Sequence, residues 1–83
     1  MRLISQEVKG FIRWTNFSNK NNPLGTLKIT EGPHQGKQAT IFLANIKNGQ
    51  ARKGTIITGE LWEKEAKRKD RPVFRIKKPV IAE

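Results

Sequence analysis

The sequence predicts an all-β fold: one small closed barrel of five strands, with little or no helix. Three observations predict it. Apolar and polar residues alternate with a period of two over five separate stretches. Clusters rich in Gly, Pro and Asn separate the first four of those stretches, and a charged segment separates the last two. The chain has 83 residues, which is room for a single domain over 1–83, and a small all-β domain protects its sheet edges best by closing on itself.

The first strand is expected over residues 4–16. Val8, Ile12 and Trp14 share one face, and Lys9, Phe11 and Arg13 the other. On that pattern Trp14 belongs to the core. Gly10 inside the stretch marks a bulge or a sharp bend. A polar loop, Ser18-Asn19-Lys20-Asn21-Asn22-Pro23, leads to the second strand over 24–31, with Leu27 and Ile29 opposed to Thr26, Lys28 and Thr30. Gly32-Pro33-His34-Gln35-Gly36 is a turn, and His34 is a turn histidine facing water.

The third strand is expected over 37–46, with Ala39, Ile41 and Leu43 opposed to Thr40, Phe42 and Ala44. The connection over 47–54 has room for one helical turn. The fourth strand, over 55–63, sets Ile57, Gly59 and Leu61 against Ile56, Thr58, Glu60 and Trp62. A basic loop fills 64–71; the helix formers between Glu60 and Arg71 make a short helix its alternative. The fifth strand, over 73–77, turns Phe74 and Ile76 inward and Val73, Arg75 and Lys77 outward. Pro79 is expected to end it, because proline cannot donate to a ladder.

Charge narrows the class of partner. There are 17 Lys plus Arg against 7 Asp plus Glu, a formal net charge of +10. Phosphate polymers are the commonest partners of such a surface, because neutralising phosphates releases condensed counterions. No cysteine and one histidine exclude disulfides, thiolate sites and a histidine-rich metal cluster. No metal or other cofactor is expected, and neither is an enzyme: Glu63 and Glu65 sit amid lysines, and nothing near His34 orients it. The segment 32–37 lacks the glycine spacing and the hydroxyl residue of a phosphate loop. The longest apolar run, Ile41-Phe42-Leu43-Ala44, falls far short of the ~20 residues of a membrane span. The N-terminus turns polar too early for a signal peptide, so a cytoplasmic protein without a membrane partner is expected.

Residues Lys53-Gly54-Thr55-Ile56-Ile57-Thr58-Gly59-Glu60-Leu61-Trp62 resemble the fourth-strand signature of bacterial single-stranded DNA-binding proteins: a Lys-Gly pair, an alternating strand, then Gly-x-Leu and a tryptophan. The charged loop that follows, with Arg71-Pro72-Val73-Phe74-Arg75-Ile76, resembles that family's last hairpin. Five strands with the longest connection after the third resemble the OB-fold generally. In this chain the Lys-Gly pair lies closer to Gly-x-Leu, Trp62 follows Leu61 directly, the helix after the third strand is nearly absent, and no acidic tail follows Ile81-Ala82-Glu83. The resemblance is therefore to a minimal member, of the primosomal, phage or plasmid kind. It implies an OB-fold barrel that binds single-stranded DNA in replication with little sequence preference. Translation initiation factor one, another short basic OB-fold protein, is a weaker match.

Unspecific single-strand binding needs cations that track phosphates and rings that stack bases. The outward faces supply both: Lys9, Phe11 and Arg13 from the first strand, Lys28 from the second, Phe42 from the third, Trp62 from the fourth, and Arg75 and Lys77 from the fifth. Lys67, Arg68 and Lys69 add phosphate contacts from the basic loop. Core packing is the alternative use of each ring, and a homodimer interface is the competing use of exposed ones. DNA is expected over RNA. The rival readings are an RNA-binding protein of translation or RNA remodelling, and a basic adaptor docking on an acidic protein surface.

Overall fold

The computed structural model describes residues 1–18, 21–46, 49–64 and 73–82. Five strands form a closed barrel: β1 (Arg2–Asn16), β2 (Leu24–Ile29), β3 (Gln38–Phe42), β4 (Ile56–Lys64) and β5 (Val73–Ile81), in the order β1-β2-β3-β5-β4. All neighbours pair antiparallel except β3 and β5, which run parallel. The barrel is OB-fold-like. The long β1 closes it by pairing with β2 through its C-terminal half and with β4 along most of its length.

Closure turns on Gly10, which opposes Ile29 on one side and Ile57 on the other. A side chain there has no room: an added Cβ would run into the Lys28 carbonyl and sit 3.0 Å from the Ile29 Cα. The bulge expected at this glycine is not there: Gly10 keeps regular pairing on both sides, and the shifts in β1 register fall between Leu3 and Val8 and between Ile12 and Trp14.

The alternating apolar residues meet inside. Val8 and Ile12, Leu27 and Ile29, Ala39 and Ile41, Ile57 and Leu61, and Ile76 are all buried. Isoleucine dominates because a β-branched side chain packs well on a pleated, half-buried surface. Each fully buried aliphatic side chain contributes about 1.5–3 kcal/mol through apolar burial. Among the described residues no polar or charged side chain is buried, so the interior is purely a packing core.

The second strand ends at Ile29 rather than residue 31, and three larger expectations fail. The third strand stops at Phe42 rather than residue 46; a single 3-10 turn, Leu43–Asn45, follows. Leu43 donates its N–H to the Pro23 carbonyl, and Ile46 drops back into the core. The fifth strand does not end at Pro79 but runs on to Ile81. Its register shifts between the pairs Thr58–Val80 and Glu60–Lys77, so Lys78 and Pro79 bulge. Pro79 needs no ladder donor there, its ring is fully buried, and Lys78 takes up the bulge with φ 53°. The third failure is Trp14. The register of β1 against β2 shifts between Ile12, opposite Leu27, and Trp14, opposite Thr26. Arg13 is the extra residue, so Trp14 turns onto the face of Thr26 and stands 53% exposed.

At the other end of the basic loop, β4 continues to Lys64, so residues 60–64 are strand. The alternatives of loop and short helix for 65–71 lie outside the described residues. Phe74 packs against the rim of the core, as expected, with the Lys37 ammonium 5.2 Å from its ring. His34 lies in the turn before β3 with Nδ1 3.2 Å from Lys37 Nζ.

Candidate functional site

The strand order brings β3, β5 and β4 side by side, and their outward residues form one cluster. Thr40 opposes Arg75, and Arg75 opposes Trp62. Phe42 lies two residues beyond Thr40 on the same face, and Lys77 two beyond Arg75. The Arg75 guanidinium lies 4.6 Å from the centre of the Phe42 ring, and Lys77 Nζ lies 4.3 Å from that of Trp62. Each contact is a cation–π pair worth about 0.5–1 kcal/mol at an exposed site. Trp62 is oriented further by its indole N–H, which donates to Glu60 Oε1 at 3.2 Å.

Beside this cluster opens a cleft of about 420 Å³, lined by Phe42, Ala44, Asn45, Arg75, Ile76, Lys77 and Lys78. Its wall is an apolar floor rimmed by three cations. The 3-10 turn helps to form the cleft, since a strand continuing past Phe42 would have carried Ala44 and Asn45 along the sheet.

The other expected residues spread along the outer wall. Phe11 is outward and half-buried, opposite Lys28 and Ile56. Lys9 opposes Thr58 on β4. These three are near one another but on the neighbouring part of the barrel. Arg13 lies 5.3 Å from the ring of Trp14, on β1. Lys67, Arg68 and Lys69 lie outside the described residues. Among the described residues the ion pairs are Arg2–Glu63 at 2.7 Å and Lys78–Glu60 at 3.9 Å, so Arg75 and Lys77 have no carboxylate partner there.

Sequence reasoning missed two exposed rings and one cation. The alternation puts Trp14 inward and gives no role to Phe17, just past β1, which is 60% exposed. Lys53 stands out in the sequence only as half of a Lys-Gly pair. In the structure the turn 52–55 is tied to β1: Gly54 donates to the Ile12 carbonyl, and Ile12 donates to the Thr55 carbonyl. The turn sets Lys53 Nζ 5.1 Å from the Trp14 ring. No local pattern carries that contact, because 39 positions of chain separate the two residues.

Comparison with protein-family models, curated proteins and solved structures finds no match. The functional reading therefore rests on the barrel and its outer wall. Among the described residues, no group of three or more His, Cys, Asp or Glu could hold a metal ion, and no helix is long and apolar enough to cross a membrane.

Proposed function

We propose that this barrel binds single-stranded nucleic acid, DNA in preference to RNA, with little sequence preference and without chemistry. One observation carries the reading: Phe42 and Trp62 stand on the outer wall, each touched by a cation, beside a cleft rimmed by Arg75, Lys77 and Lys78. The rings offer π-faces to any base, which is why stacking tolerates sequence. On this reading the neighbouring cations take the phosphates that link the stacked bases. In the free protein each ring is covered by its own cation. On binding, a base takes the ring and the cation swings to a phosphate, so the protein exchanges one favourable contact for two.

The test is an anisotropy titration of labelled oligo-dT at several salt concentrations. Log affinity is expected to fall linearly with log salt, at about −0.7 per neutralised phosphate. Replacing Arg75 and Lys77 together by alanine should reduce the slope by about 1.4. Trp62→Ala should weaken binding by about 1–3 kcal/mol, or five- to 150-fold, while circular dichroism shows an intact barrel. Salt-independent affinity, or equal affinity for duplex, overturns the proposal.

A further inference from the structure

We infer that Trp14, with Arg13 and Lys53, forms a second base-stacking station that extends the track beyond the cleft. The inference rests on the single-strand reading above and adds a site to it. Trp14 is 53% exposed on the barrel wall, and two cations from separate segments lie 5.3 and 5.1 Å from its ring centre. Neither cation has a carboxylate partner among the described residues. A shallow depression of about 180 Å³ lies beside the ring, walled by Thr26, Thr40 and Asn16. An exposed indole with two cations close to its ring, beside hydroxyl and amide groups, suits a base with its flanking phosphates.

The ladder registers connect this station to the first. Trp14 opposes Thr26, Thr26 opposes Thr40, Thr40 opposes Arg75, and Arg75 opposes Trp62. A single row thus crosses β1, β2, β3, β5 and β4. Its rings fall on every second strand: Trp14 on β1, Phe42 on β3 two residues off the row, and Trp62 on β4. Neighbouring strands lie about 4.8 Å apart, so the stations are roughly 10 Å apart in the strand-crossing direction. The row spans about 19 Å. Strands in a small barrel are steeply tilted, so a line across them climbs the barrel as it goes around. At about 3.4 Å per stacked nucleotide the row accommodates about six nucleotides, inside the 4–16 that one OB barrel covers.

Trp62→Phe leaves Trp14 as the sole tryptophan and makes it the reporter. Titration with dT12, longer than the row, is expected to quench its emission in step with the anisotropy signal. Trp14→Ala should weaken dT12 binding five- to 150-fold. Arg13→Ala with Lys53→Ala, which keeps the ring, should lower the salt slope by about 1.4, so the station is tested even if Trp14→Ala unfolds. If dT12 binds the wild type but Trp14 emission and the Arg13/Lys53 slope are unmoved, the second station is wrong and the first stands. An emission that ignores dT12 and shifts with protein concentration also overturns it, making Trp14 a self-association contact. If dT12 does not bind the wild type at all, both readings fall.

Discussion

Replacing Gly10 by alanine tests the account of barrel closure most directly. The new methyl would meet the Lys28 carbonyl, with the Lys28 carbonyl carbon at 2.8 Å and the Ile29 Cα at 3.0 Å. All three atoms are backbone, so no side chain can swing away. Either β1 lifts from β2, or the ladder from Gly10 to Asn16 is disturbed. Overpacking a well-packed core typically costs about 1–3 kcal/mol, and a clash with main chain at the hinge of the closing strand belongs at or above the top of that range. A domain of this size has only about 4–12 kcal/mol in total, so roughly 3 kcal/mol removes a large share. Urea unfolding followed by circular dichroism reads this as a fall in midpoint. Gly54→Ala is the control: its φ of 94° disfavours alanine, but an added Cβ meets nothing within 4 Å, so its cost is the backbone term alone, about 1–2 kcal/mol. Equal midpoints for Gly10→Ala and wild type would refute the reasoning.

Two further substitutions probe the interior and the bulge. Ile41→Ala removes a fully buried side chain at the β3–β5 seam and should cost about 2–5 kcal/mol, read by the same unfolding curve; a loss below 1 kcal/mol contradicts the packing described. Lys78→Gly relieves the left-handed backbone at φ 53° and gives up only an exposed ion pair at 3.9 Å, so thermal unfolding should show a gain of up to about 1 kcal/mol. A clear loss would mean that the Lys78 side chain supports the bulge.

Much of the fold is legible in the sequence because one face of every strand is buried, and a period of two then labels each residue in or out. Val8, Ile12, Leu27, Ile29, Ala39, Ile41, Ile57, Leu61 and Ile76 follow that label without exception. The errors fall where a strand gains a residue or stops. Trp14 keeps the period in sequence, but the bulge at Arg13 inserts one position and reverses its side; nothing in Ile12-Arg13-Trp14 announces it. Alternation continues through Leu43 and Ala44 although the backbone has left the sheet. Pro79 breaks the donor rule only because a bulge asks for no donor. Of the candidate site, Phe42, Trp62, Arg75 and Lys77 are legible as outward residues. Their grouping is not, because it depends on β5 lying between β3 and β4, a matter of chain order around the ring rather than of local pattern.

The division of the strands into inner and outer residues also shapes what evolution can do with this protein. The interior is nearly all isoleucine and leucine at its fully buried positions, so it admits only changes that keep apolar character and volume. The outer wall answers to no such demand, and each of its positions is flanked by two that hold the barrel together. A lineage could therefore exchange rings and cations there one at a time, revising what the wall grips while the scaffold beneath stays the same.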